Sequence, residues 1–228
     1  MHRLWWVALA AVAALAICAP PVAADPTEVG GWFGPRLFSS SSRLGYVDEA
    51  TAHPGLANGI ELGGRVARPF LPWLVPELEL ALSPTSSDAK VGAKSASVLW
   101  LEPRLHLRFE LRPDARLQPF VVIGGGSPIS LSRTRSVFAT SILGDGYVGG
   151  GVRYDTGKGF ELRADARVAI LPAQPGASPA ITAELELGLG LAFRLGAGRA
   201  RPVGEAPVVA VGPDQDGDGI PDAIDPCP

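Results

Sequence analysis

The chain has 228 residues, with 20 basic and 23 acidic side chains and a formal net charge of −3. That balance leaves no electrostatic footprint for nucleic acid, and two cysteines exclude a disulfide-built framework. The length allows one sizeable domain and a tail.

The chain opens with Met1-His2-Arg3, an apolar run from Leu4 to Ala19 and then PPVAAD. A basic start, an apolar middle and small residues before Asp25 describe a secretory signal peptide over residues 1–24, cut after Ala24. Two other readings stand beside it: an uncleaved membrane anchor, and a lipoprotein signal at Cys18. In the second, Ile17 occupies the place where a small residue is usual. After cleavage Cys227 is the remaining cysteine, so no disulfide forms within the mature chain.

From there on, apolar and polar residues alternate with the period of a strand, whose successive side chains point to opposite faces. The first strand falls near 30–38, with apolar residues on both faces. GIELGGRVARPF (59–70) sets Ile60, Leu62, Val66 and Phe70 against Glu61 and Arg65; Arg68 interrupts its apolar face near a rim. PELELAL (76–82) sets Leu78, Leu80 and Leu82 against Glu77 and Glu79. LWLEPRLHLRFEL (99–111) sets five leucines and Phe109 against Trp100, Glu102, Arg104, His106, Arg108 and Glu110. A fifth strand is expected over 119–130, again apolar on both faces. GYVGGGVRYD (146–155) sets Val148, Val152 and Tyr154 against Arg153 and Asp155. FELRADARVAIL (160–171) sets Phe160, Leu162, Val168 and Ile170 against Glu161, Arg163, Asp165 and Arg167. The last, AITAELELGLGLAFRLG (180–196), puts Ile181, Leu185, Leu187, Leu189, Leu191 and Phe193 opposite Glu184, Glu186 and Arg194.

The connectors differ in length by turns. LPWLV, RPDARLQ and DTGKG are tight, whereas the stretches near 39–58, 84–97, 131–145 and 172–180 are long and polar or proline-bearing. Long loops on one side and short turns on the other predict an all-β fold, an eight-stranded antiparallel up-and-down transmembrane β-barrel over residues 28–196. Alternation alone does not say which face is outside, since a lipocalin-like soluble barrel shows the same period. Three features favour lipid outside. Aromatic residues gather at the short-turn rim (Phe70, Trp73, Phe109, Phe120, Tyr154, Phe160, Phe193). Charges of both signs sit mid-strand on the other face, where a narrow lumen lets them pair. The strands also have the length of a tilted crossing.

Beyond the barrel, residues 197–213 read as a Pro/Gly/Ala linker without a core. Then comes DQDGDGIPDAIDPCP (214–228). Its oxygens fall where a calcium loop wants them: Asp214, Asp216, Asp218, the backbone carbonyl of Ile220, Asp222 and Asp225, with Gly219 at the sharp bend. Calcium is the cofactor this implies. An EF-hand has a glutamate where Asp225 stands and has flanking helices, which Pro213, Pro221 and Pro226 forbid. An acidic solvated tail without a tightly held ion is the plainer alternative.

LQPFVVIGGG, DGYVGGGVRYD and FELRADARVAI, in that order and spacing, resemble the barrel domain of OmpA-like bacterial outer-membrane proteins. The tail resembles a thrombospondin type 3 repeat at every position of its pattern, ending on Cys227. Glu186, Gly188, Leu191 and Phe193 resemble the last-strand signal read by the outer-membrane assembly machinery. These resemblances imply an outer-membrane location with the tail in the periplasm, and outer-membrane lipid and the assembly machinery as partners. They also imply that such repeats join the barrel to a peptidoglycan-binding domain, so the repeat reads as the first of a truncated array.

The expected function is structural: a small outer-membrane barrel anchoring a calcium-binding tail, with no enzyme activity. A narrow ion-conducting path is the alternative. An enzyme at the outer rim would have to draw on His53 and the serines at 39–42, for which no partner is evident. IGGGS (123–127) lacks the helix and lysine of a phosphate loop, and His106 reads as a satisfied interior group rather than a ligand.

Overall fold

The computed structural model describes residues 27–47, 55–88 and 95–196. The expected signal peptide, His53, the expected linker and the tail, with Asp214, Asp216, Asp218, Ile220, Asp222 and Asp225, lie outside the described residues.

The alternating segments become long strands: β1 (Thr27–Leu37), β2 (Gly59–Ala67), β3 (Leu74–Ser86), β4 (Ser97–Glu110), β5 (Leu117–Gly126), β6 (Ile129–Ser132), β7 (Ser141–Ile142), β8 (Asp145–Asp155), β9 (Phe160–Pro172) and β10 (Ile181–Leu195). Antiparallel pairing runs β1-β2-β3-β4-β5-β8-β9-β10 and returns to β1, which closes an eight-stranded barrel. The closing pair is in register from Thr27↔Leu195 through Trp32↔Gly190 to Leu37↔Leu185. Closure leaves the eight-stranded ring no free edge. The short turns and both chain ends of the barrel are at one rim, and the long loops at the other.

β6 and β7 form a small hairpin that carries the wall upward on β4, from Leu101↔Ile129 to Val98↔Ser132. This corrects the expected fifth strand. It ends at Gly126; the chain breaks step at Ser127-Pro128 and rejoins β4 as β6. Proline has no amide hydrogen to carry the ladder on. The first tight connector shifts rather than shortens, to residues 68–73: β2 ends at Ala67, and Leu74 and Val75 belong to β3. That strand and β4 also run further, to Ser86 and from Ser97.

One stretch of wall is bonded differently. β2 and β3 pair only from Ala67↔Glu77 to Leu62↔Leu82. Above that point Ser83 Oγ donates to the Ile60 carbonyl at 2.8 Å and Thr85 Oγ1 to the Ala57 carbonyl at 2.8 Å. Backbone pairing resumes at Leu56↔Ser87. Side-chain hydroxyls thus stand in for a ladder that Pro84 cannot donate to.

The faces are inverted relative to a soluble protein. Phe33, Ile60 and Leu189 are each 56% exposed, whereas Arg36, Glu61, Glu77 and Glu102 are at 0%. Trp73 stacks on Phe109 at the short-turn rim, 6.3 Å between centroids, with Phe70, Tyr154 and Phe193 exposed around it. Phe120 does not belong to that girdle: it is 2% exposed and points into the lumen under Arg163, 4.4 Å from ring centroid to guanidinium carbon. Its strand carries apolar residues on both faces, so alternation could not assign it. Arg68 lies just past the end of β2, half-buried in the turn.

Candidate functional site in the barrel lumen

The inward residues of the strands fill the lumen with charge. All the interior groups named from the sequence (Glu102, Arg104, Arg108, Glu161, Arg163, Asp165, Arg167, Glu184 and Glu186) are buried there. Burying ions is costly unless each is paired and hydrogen-bonded, and the pairing here reaches from wall to wall.

In the upper part, toward the long loops, Arg36 of β1 is the hub. Its Nε and Nη2 donate to Glu184 at 3.1 and 2.8 Å, and its Nη1 lies 3.3 Å from Glu102 and 3.4 Å from both Glu61 and Glu186. One guanidinium therefore ties β1 to β2, β4 and β10. Arg104 donates to Glu79 at 3.0 Å, Glu61 at 2.9 Å and Glu102 at 3.0 Å. Arg167 holds both oxygens of Glu79, at 2.7 and 3.1 Å, from across the lumen. Alternation does not single out Arg36, because β1 carries apolar residues on both faces; its even-numbered place beyond Trp32 and Gly34 is the signal.

In the lower part Glu77 plays the converse role. Arg163 reaches its two oxygens at 2.8 and 3.0 Å, and Arg108 and His106 both bond to it. His106 Nδ1 is 2.8 Å from the Tyr147 hydroxyl. His106 is thus an interior group with a partner on each ring nitrogen, as its place in the strand indicates. Glu28 joins Arg108 at 2.8 Å and Arg153 at 2.5 Å; Arg153 also meets Glu161 at 2.7 Å. Asp165 links the two parts through Arg163 at 2.5 Å and Arg167 at 3.4 Å.

Glycine supplies the room. Trp32 points inward between Gly63 on β2 and Gly190 on β10, and a Cβ at Gly63 would collide with its indole. Two arginines, Arg104 and Arg167, then lie over that indole at 5.8 and 5.7 Å.

Above the ions is an apolar lid that no periodicity announces. Phe38, Leu44 and Leu56 of the first loop and Phe138 of the third join Trp32, Trp100 and Val98 in one buried cluster. Phe38 meets Trp100 edge-on at 5.8 Å, and the Arg36 guanidinium lies 4.1 Å from the Trp100 ring. Backbone bonds stitch the loops together: Ala139 N to Gly45 O at 2.9 Å, Arg43 N to Pro172 O at 3.0 Å and Gln174 N to Ser41 O at 2.9 Å. Gly45, at φ 74°, lies directly against the Phe138 ring. Of the serines at 39–42, Ser39 and Ser41 share hydrogen bonds with Thr182 at 2.6 and 3.1 Å, and Ser42 is buried in the lid. They serve loop structure here.

What this arrangement does chemically is brace. Among the described residues the lumen is crossed by ion pairs and closed above by aromatic rings.

No protein-family model matches the chain, and no curated protein does. Solved structures with a similar fold include Neisserial surface protein A, at 13% identity and a TM-score of 0.56 over 75% of this chain and 99% of that one. Another is the outer-membrane protein OprG from Pseudomonas aeruginosa, at 15% identity and a TM-score of 0.54 over 76% and 98%. At that identity the likeness is one of fold.

Proposed function

We propose that the chain is a membrane-spanning barrel of the bacterial outer membrane that acts as a braced, non-conducting structural element. The observation that carries this reading is the combination of an apolar outer wall with a lumen bridged from side to side. A soluble barrel would have no use for exposed Phe33, Ile60 and Leu189. Lipid does, and closure pairs the strands around the ring, with the Ser83 and Thr85 hydroxyls serving the carbonyls of Ile60 and Ala57 where the β2–β3 ladder stops. The likeness to two outer-membrane barrels supports the same reading at the level of fold.

The short-turn rim, where both ends of the barrel emerge and Trp73 stacks on Phe109, is then the periplasmic one. The last strand, with Glu186, Gly188, Leu191 and Phe193, meets the assembly machinery. The tail carries calcium on Asp214, Asp216, Asp218, Ile220, Asp222 and Asp225 and serves as a connector toward peptidoglycan. Its support is the spacing of those residues in the sequence.

The test is a single-channel recording of the full chain in planar bilayers, alongside membrane fractionation. The reading expects recovery in the membrane fraction and no resolvable openings. Steady unitary openings would replace the structural role with a narrow ion path, and recovery without detergent would end the membrane reading.

A further inference from the structure

A groove of about 560 Å³ runs over the outer wall near the long-loop rim, crossing β2, β3, β4 and β6. Its origin is local. The ladder between β2 and β3 stops at Leu62↔Leu82, Gly59 brings no side chain, and β6 replaces β5 beside the top of β4.

The chemistry of the groove changes sharply along the strands. Register places Pro84 beside Leu99 and Leu99 beside Leu131, a single apolar row on the outer face. One step toward the rim, Ser86 pairs with Ser97, and the Arg133 amide donates to the Ser97 carbonyl at 3.3 Å. Two residues along a strand cover roughly 7 Å, so the groove passes from hydrocarbon-like to hydroxyl and guanidinium within that distance. The apolar row is continuous with the outer belt, since Ile60, Leu99 and Leu131 are 56%, 42% and 44% exposed. The groove therefore straddles the belt's upper edge. Among the described residues Arg133 is the only charged one in the lining; it is exposed and has no carboxylate partner among them.

We infer that this groove binds a phosphorylated lipid of the leaflet facing the long loops. The Arg133 guanidinium and the hydroxyls of Ser86 and Ser97 take the phosphate, and an acyl chain descends over Pro84, Leu99 and Leu131. A guanidinium fork matches phosphate geometry, and among the described residues the lining offers no acid to oppose it. A free anion leaves the apolar row unused, and a zwitterionic headgroup sets a second cation against Arg133. The inference rests on the membrane-spanning reading.

The experiment is native mass spectrometry of the full chain in detergent micelles. The probe is dipalmitoyl phosphatidic acid, and dipalmitoyl phosphatidylcholine and inorganic phosphate serve as comparisons. Phosphatidic acid is expected to bind in preference to phosphatidylcholine. Arg133→Ala is expected to weaken it about tenfold, Arg133→Lys less, and Ser97→Trp, which fills the groove, as much as Arg133→Ala. Arg135→Ala, outside the groove, leaves binding unchanged. Equal binding of the two lipids, no loss in Arg133→Ala, or displacement by inorganic phosphate overturns the proposal. Fractionation of the same variants keeps the two readings apart. A chain that is membrane-inserted but indifferent to Arg133 defeats the groove alone, while a chain recovered without detergent defeats the membrane reading first.

Discussion

Glu77 on β3 and Arg163 on β9 meet at 2.8 Å from opposite sides of the barrel wall. Between them they span the bore, and His106 and Arg108 attach to the same carboxylate. Pairs of this kind are costly to assemble and far costlier to break singly.

Glu77→Ala is therefore expected to lower stability by about 3–5 kcal/mol, since it leaves Arg108 and Arg163 buried without a shared anion. Arg163→Met is expected to cost less, because Glu77 keeps Arg108 and His106. Urea midpoints of the refolded chain in micelles, followed by circular dichroism, check the order.

Arg36 has the same logic in the upper half. Arg36→Met removes the two hydrogen bonds that Arg36 donates to one oxygen of Glu184 and takes the cation from the face of Trp100. The expected loss is again about 3–5 kcal/mol. It is accompanied by a shift in Trp100 emission that Arg163→Met does not cause.

Gly45 holds φ 74° against the Phe138 ring. Gly45→Val meets both backbone strain and a steric clash, expected to cost about 1–3 kcal/mol. The damage is confined to the lid. Protease added outside proteoliposomes is expected to nick the first or third loop faster, with strand content unchanged by circular dichroism.

The tryptophans report on which face is wet. Trp73 is 48% exposed at the short-turn rim, whereas Trp32 and Trp100 are 4% and 0% exposed within the lumen. Brominated lipid is expected to quench Trp73 strongly, more so with bromines near the headgroup. In Trp73→Phe the remaining emission is expected to be almost unaffected. Quenching of Trp32 or Trp100 to a similar degree would contradict the inward assignment.

For the tail, the joint variant Asp216→Asn and Asp218→Asn removes two carboxylates from the proposed calcium loop. Calcium titration of the full chain by calorimetry is expected to show one binding event that this variant loses. Absence of heat in the unaltered chain would leave the tail a solvated acidic segment.

Where one strand face was polar, the sequence was readable to the residue. The series Leu99, Leu101, Leu105, Leu107 against Trp100, Glu102, Arg104, His106 fixes both the strand and its orientation, because only one set can pair its charges. β5 was not readable in this way. Phe120 and Val122 alternate with Val121 and Ile123, so a two-residue period carries no contrast. The lid was invisible for another reason. Phe38, Leu44, Leu56 and Phe138 are isolated in polar loops, and only tertiary contact brings them together. The groove depends on register, on where one ladder stops and another strand takes over, and register is set between segments rather than within one.

The pairing of β1 with β10 has a consequence in time. Thr27 and Leu195 are partners, so the first strand stays without one of its neighbours until the last has been synthesised. Contacts of such sequence separation form slowly, and a lone strand edge attracts other chains meanwhile. The nascent protein thus has its hairpins available early but no finished wall until the two ends of the chain meet.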